Sequence, residues 1–383
     1  MRLAENRGET TTMRQYRRWL ERTLTLAAAL VVVSVQGVGA QEIVSDNEAL
    51  VTLTYPVRRV ASPIVLDGVL SDAEWSTAVK VGGFRVSGRE SLAAEQTIMR
   101  LLYDDSALYL GIKCAESRMK DLKAAVLVHD GGVWHDDCVE FFIDRNHDHG
   151  SYWQFIANSM GTQYEAAGFD PTWSAPWQVA ASKTDEAWFL EIAVPFTSLG
   201  SEPPKPGEVW GFNLDRERQA GGGTQLYNWA DVKGNFHSPR LFGHLAFVDS
   251  KRTQETPAEI AGLSGRVQGR EAHIYTDGGY WLVIPGKPVK RWSYRDLLRG
   301  ANDDVGRYWV ELEKIYREKP AIAGRKEFEA QRARYDEVSK LAQATGEVDL
   351  EACAAGKSFL DGLEKKLRNL FWKARVAVLC ERF

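Results

Sequence analysis

Between residues 61 and 249 the apolar positions fall in short runs rich in β-branched and aromatic residues, punctuated by Gly, Pro, Asp and Asn. That is the pattern of strands joined by turns rather than of helices. The clearest strands are predicted over Ile98 to Tyr103, Leu108 to Cys114, Cys138 to Asp144, Trp153 to Asn158, Trp188 to Val194, Val209 to Asp215 and Gly243 to Val248. In the second of these Leu108, Leu110, Ile112 and Cys114 share one face, as a half-buried strand requires. Asp104 and Asp105 supply the turn before it, and Pro203, Pro204, Pro206 and Gly207 mark a loop that no sheet interior would accept. The fold expected is mainly β: a jelly-roll-like antiparallel β-sandwich over 61–249, followed by a C-terminal α-helical region.

The pattern changes twice beyond that point. Residues 250–291 read as a linker with a small hairpin, because apolar residues alternate on either side of Asp277-Gly278-Gly279. From 292 to 383 the period becomes helical: Val305, Tyr308, Trp309, Leu312 and Ile315 recur at three and four residues, as do Phe359, Leu363, Leu367, Leu370 and Phe371. Pro320, Gly324 and Gly346 divide roughly three helices. They pack on one another or on the sandwich, or they offer a coiled-coil face to a protein partner.

At the other end, Arg14, Arg17, Arg18 and Arg22 precede an uncharged run from Thr23 to Val35 and small residues ending at Ala40, the three-part layout of a secretory signal. Cleavage after Ala40 is expected, with 41–60 as a leader and Met13 as an alternative start. The apolar run is shorter than the ~20 residues of a spanning helix, so no stable membrane span is expected after signal removal. The destination is export: periplasmic, extracellular or cell-surface.

Composition narrows the partners. A formal net charge of -4 gives no reason to expect nucleic acid. Thirteen Trp residues exceed the ordinary needs of a core this size, and some could serve as flat apolar surfaces for sugars. Cys114, Cys138, Cys353 and Cys380 allow a disulfide within each region but have no CxxC spacing, so a thiolate zinc site is not expected.

The stretch from Val133 to Asn158 is the richest in candidate chemistry. On its strand Val139, Phe141 and Ile143 form the natural core face, so Glu140 projects from the other face near Trp134. An aromatic platform beside a hydrogen-bond acceptor suits a sugar, which has an apolar C–H face and equatorial hydroxyls; packing of Trp134 in a core is the alternative.

Six blocks in order, IVLDGVLSDAEW (64–75), LLYDDSALYLGIK (101–113), VWHDDCVEFFID (133–144), WFLEIAVPFTSLG (188–200), VWGFNLDRER (209–218) and RLFGHLAF (240–247), resemble the family 9 carbohydrate-binding modules of xylan- and cellulose-degrading systems. The resemblance implies a polysaccharide or oligosaccharide ligand held at a chain end between two aromatic residues, structural calcium, no organic cofactor, and a non-catalytic role in carbohydrate catabolism by hydrolase systems. Carried over by position, Trp134 is the first aromatic of the clamp and Phe236 stands where a second Trp is expected. Glu140 and Asn158 match polar sugar contacts, and Asp215 falls where the family has glutamine. Ile156 replaces an expected arginine.

Three further possibilities have residues attached. Asp144, Asn146 and Asp148 place oxygens at alternate positions of a turn closed by Gly150, as calcium prefers, though the same residues favour a plain polar hairpin. A glycoside hydrolase could use the Asp137 and Glu140 region, but nothing locates a carboxyl across the scissile bond. A haem-binding redox sandwich would use His129 and Met160 as axial ligands.

Overall fold

The computed structural model describes residues 53–380 except 72, 90, 250–271 and 285. The expected signal at 1–40, leader residues 41–52 and the first half of the linker lie outside the described residues.

Twelve strands join in one hydrogen-bonded sheet that folds on itself as a near-barrel sandwich. They are β1 (Thr54–Arg59), β2 (Arg85–Val86), β3 (Thr97–Tyr103), β4 (Ala107–Ala115), β5 (Cys138–Asp144), β6 (Trp153–Asn158), β7 (Gln163–Ala167), β8 (Gln178–Lys183), β9 (Ala187–Pro195), β10 (Val209–Arg218), β11 (Gln225–Asn228) and β12 (Gly243–Val248). The order β7-β6-β5-β10-β12-β1-β3-β4-β9-β8 makes two wings on either side of β1. The expected antiparallel pairing holds everywhere on that path except at β1, which runs parallel to both β12 and β3. Long connections leave β1 free to run this way, and its Tyr55 is anchored in the core by a hydroxyl that donates to the Val79 carbonyl and accepts from Leu101 N–H.

Period-two alternation places the core between the wings. Val139, Phe141 and Ile143 of β5, Phe155 of β6 and Phe212 and Leu214 of β10 meet Met99 and Leu101 of β3, Leu108, Leu110, Ile112 and Cys114 of β4 and Leu190 and Ile192 of β9 in one cluster. The Phe141 and Phe155 rings stack at 5.0 Å. A buried ion triad ties the wings at one end: Glu116, just past β4, accepts from Arg216 and Arg218 of β10, and the Arg216 guanidinium also donates to the Ala115 carbonyl. Removing one member of such a buried set strands the others, at a cost of about 3–5 kcal/mol. None of the four cysteines is bridged; Cys114, Cys138 and Cys353 are buried thiols.

The hairpin expected at Asp277-Gly278-Gly279 is present as β13 (Ala272–Thr276) and β14 (Gly279–Val283), and β15 (Lys290–Trp292) adds a third strand. Four helices follow where about three were expected: α1 (Tyr294–Glu318), α2 (Arg325–Glu329), α3 (Arg332–Gln343) and α4 (Leu350–Cys380). The extra one is the five-residue α2 between the Gly324 break and α3. Ser293 caps α1 by accepting the Asp296 N–H. The apolar faces of α1 and α4 meet through Val305, Trp309, Leu312, Leu363, Leu367 and Leu370.

The helices dock on the sandwich. Lys113 of β4 pairs with Glu351 of α4 at 2.7 Å, and Ile98 and Tyr275 pack against the helical core. Gly82 lets the two layers approach closely at this contact: a Cβ there would lie 2.3 Å from Leu350 Cδ2, so the Leu350 side chain would have to shift.

Candidate functional site

The face of β5 turned away from the core carries Cys138, Glu140 and Phe142. Two small apolar clusters cover its ends. Cys138 packs with Val133 and Ile156, while Phe142 packs with Tyr152, Val232, Phe236 and Phe242. Glu140 lies in the gap between them, and the gap is a cavity of about 430 Å³ whose lining includes Trp134, Gln154, Tyr164, Phe169, Glu217 and His237 besides Glu140 and Phe236.

Trp134 reaches this cavity from a short 3-10 turn, Val133–His135, and is 37% exposed. Its ring meets the edge of Tyr164 at 5.2 Å, which fixes one wall. Phe236 lines the same cavity, but at 8% exposure it belongs to the cluster behind the wall. The exposed aromatic on that side is Phe169, at 78%, with its ring stacked on His237 at 4.6 Å. Sequence reasoning missed Phe169; its signal was an aromatic set between Gly168 and Asp170-Pro171, turn residues that leave such a ring nothing to bury against. It also missed Glu217, which alternation places on the same face of β10 as Asp215.

The floor is polar and short of positive charge. Gln154 donates to Glu140 Oε1. Glu140 is 3% exposed, and burial first, then repulsion from Glu217, pushes its carboxyl up to about 8 against the pull of the Gln154 bond. Burial pushes Glu217 up to about 7. His237, whose Nδ1 meets the Tyr152 hydroxyl at 2.8 Å, is held below the usual imidazole range by burial.

Two residues expected at the site lie elsewhere. Asn158 donates to the Val126 carbonyl and Asp136 and accepts from Met160 and Thr162 N–H, so its amide pins the loop before β5 to the turn after β6. Asp215 pairs in register with Glu140 but is fully buried, accepts from Asn213, and has a pKa raised well above the carboxylate range by burial and then by Glu140. Ile156, at the position of the expected arginine, lines the cavity as an apolar surface.

The other sets are engaged in structure. Asp144 accepts from the backbone N–H of Asp148 and His149, and Asp148 from those of Gly150 and Ser151 and from the Ser151 hydroxyl. Asn146 Oδ1 accepts from Arg145. These oxygens close the turn rather than forming a free donor set, which does not fit calcium at this loop and fits the polar hairpin. Asp137 accepts from Lys123, Gln219 and Ala220 N–H and does not line the cavity, so it is unsuited to act with Glu140 on a ligand. Met160 is 53% exposed, and His129 is turned to Glu165, at 3.0 Å from Oε2. His129, Asp130 and Glu165 offer ligand atoms within 4.8 Å of one another, but Glu165 also accepts from Ser174 and the Trp177 indole, a network complete without an ion.

Residues 66–250 match a family model described as carbohydrate family 9 binding domain-like. The chain is 26% identical over 187 residues to endo-1,4-beta-xylanase A of Thermoanaerobacterium saccharolyticum, a match covering 47% of this chain and 15% of that protein. It is 27% identical over 151 residues to exoglucanase XynX of Acetivibrio thermocellus, covering 38% and 13%. The match thus spans only a small fraction of these curated relatives. Among solved structures it is similar to a family 9 carbohydrate-binding module from Caldicellulosiruptor kristjanssonii in complex with cellotriose, at 18% identity and a TM-score of 0.40, covering 53% of this chain and 98% of that one. The same module in complex with glucose gives 18% identity and a TM-score of 0.41, covering 54% and 99%. Over residues 66–250, then, the chain carries a domain of the carbohydrate family 9 binding domain-like family.

Proposed function

We propose that this domain holds the end of a carbohydrate chain, without transforming it, in the cavity between Trp134 and Phe169. The observation that carries the reading is a cavity of about 430 Å³ with aromatic walls and a polar floor on the outward face of a rigid sheet. Sugar rings present C–H faces to aromatics and hydroxyls to carboxyl and amide groups, and this lining offers both. Trp134, Tyr164 and Phe169 supply the apolar surfaces; Glu140, Gln154 and Glu217 supply the polar contacts.

The pairing of Glu140 with Asp137 for hydrolysis gains no support from the cavity, since Asp137 is held by the Lys123, Gln219 and Ala220 N–H groups and does not line it. The relatives are a xylanase and an exoglucanase, so the setting proposed is an exported protein that keeps carbohydrate-degrading enzymes near their substrate. Export rests on the N-terminal pattern alone, and the mass of the mature N-terminus tests it. Titration of the protein with cello- and xylo-oligosaccharides, followed by calorimetry, tests the binding reading. Saturable binding that weakens in Trp134→Ala is expected; undiminished affinity in that variant would eliminate the site.

A further inference from the structure

The last turns of α4 carry two apolar stripes, and the helical core covers only one. Leu363, Leu367, Leu370 and Ala374 are buried against the other helices. Trp372, Val376 and Leu379, spaced four and then three residues apart, share the opposite face. They are 61%, 56% and 53% exposed. A single exposed apolar residue needs no explanation, whereas a stripe that includes a Trp marks a surface made to be covered. The charges around it have one sign: residues 365 to 380 include Lys365, Lys366, Arg368, Lys373 and Arg375 and no acidic residue. By the helical repeat, Lys365 and Arg368 prolong the stripe toward the start of α4, and Lys373 and Arg375 fall on either flank of Trp372. Nearby acids neutralise little of this charge. Arg368 meets Glu364 and Lys366 meets Glu327, each at 3.8 Å, the long end of surface pairing. Arg375 lies over the Phe371 ring, and Lys365 and Lys373 hold no ion pair among the described residues.

That combination selects the partner. A second copy of this chain placed symmetrically on the stripe would bring the same cations across the interface, with no acid between 365 and 380 to meet them. A dissolved polyanion would satisfy the cations but leave Trp372, Val376 and Leu379 in water. An anionic bilayer surface answers both needs, with phosphates for the Lys and Arg side chains and an acyl boundary for the apolar ones. No described helix is long and apolar enough to cross a membrane, and the contact is a peripheral one. We infer that the outward stripe of α4 docks the protein on an anionic phospholipid surface. Trp372, Val376 and Leu379 sink to the acyl boundary, and Lys365, Arg368, Lys373 and Arg375 lie among the phosphates. The assignment is independent of the sugar reading, because none of the residues lining the cavity belongs to the helices.

Cys380 supplies a local reporter. It is exposed at the end of the stripe, while Cys114, Cys138 and Cys353 are buried, so a polarity-sensitive maleimide dye on the folded full chain labels that position. The labelled chain is mixed with vesicles of phosphatidylcholine alone, or of phosphatidylcholine with about one third phosphatidylglycerol to give a negative surface. The dye emission should move to the blue with the anionic vesicles only, and added salt should reverse the shift. Lys373→Gln with Arg375→Gln should weaken vesicle binding about tenfold or more, and Trp372→Ser with Leu379→Ser at least as much. All four side chains are exposed, so thermal melts of both variants should match the parent. Absence of binding to the anionic vesicles overturns the inference, and so do equal shifts with both vesicles. Binding with an unshifted Cys380 dye puts the contact on another part of the chain and overturns it as well. Binding that is lost with the two cations but undiminished without Trp372 and Leu379 is adsorption of charge alone, which overturns docking through the stripe. A chain found dimeric by ultracentrifugation, made monomeric by Trp372→Ser with Leu379→Ser and indifferent to vesicles, makes the stripe an interface between copies and overturns it too.

Discussion

The two faces of β5 use the same seven residues to opposite ends. On the inward face Val139, Phe141 and Ile143 merge into the continuous core between the wings. On the outward face Cys138 and Phe142 start two separate apolar clusters, and Glu140 keeps them from joining. One carboxyl side chain in mid-strand thus turns what would be a second apolar layer into a cavity. A binding site on a β-sandwich can arise from an interruption in packing, held open by strands whose other face is fully packed.

The sharpest way to break this comparison is to damage each face in turn. Phe141→Ala removes a fully buried ring stacked on Phe155 and should cost about 3–5 kcal/mol, measured by denaturant unfolding. A loss below about 1 kcal/mol would mean that the inward face is not the core of the fold.

The opposite sign is expected for Glu140→Gln. The folded carboxyl, pushed up to about 8, stays protonated where the unfolded one, near 4.5, has ionised. The folded state therefore binds more protons between these values, so this group's contribution to stability is full below about 4.5 and is lost as pH rises toward about 8. Replacing it with the neutral amide should raise stability at pH 8 by up to a few kcal/mol and flatten the pH dependence of the melting temperature between 5 and 8. Parallel melting curves for variant and parent across that range would show that Glu140 is ionised and solvated.

Two smaller effects sharpen the picture of the walls. Trp134→Ala should cost about 1 kcal/mol of stability, since the ring is partly exposed, while weakening sugar binding by about ten- to one-hundred-fold, to be read by melts and calorimetry on one preparation. Phe169→Ala should leave stability within about 0.5 kcal/mol and reduce affinity only several-fold. If Phe236→Ala reduces affinity more than Phe169→Ala at equal stability, the rim and back wall exchange roles.

Much of the frame was legible because central strands carry their burial in their pattern. Of the strands expected, Cys138–Asp144, Trp153–Asn158 and Gly243–Val248 fall where alternation and flanking turn residues place them. The strands β7, β8 and β11 escaped notice because edge and short strands need little apolar patterning; in β8 most positions are half-exposed. The alternation of β5 sufficed to aim Glu140 outward. Alternation could not separate Asn158 and Asp215 from Glu140, because all three project from one sheet face and differ only in what loops cover them. The loop from Trp229 to Phe242 buries Phe236 and leaves Phe169 as the exposed ring, a long-range event that no local pattern encodes.

The parity of the strands has one more consequence. Ile98 and Lys113, where the helices attach, alternate with core residues of β3 and β4 just as Glu140 does with those of β5. The helical layer and the cavity therefore sit on opposite outer surfaces, with two sheets about 10 Å apart between them. The residues that line the cavity and those of the helical cluster are separate sets, divided by the whole thickness of the core.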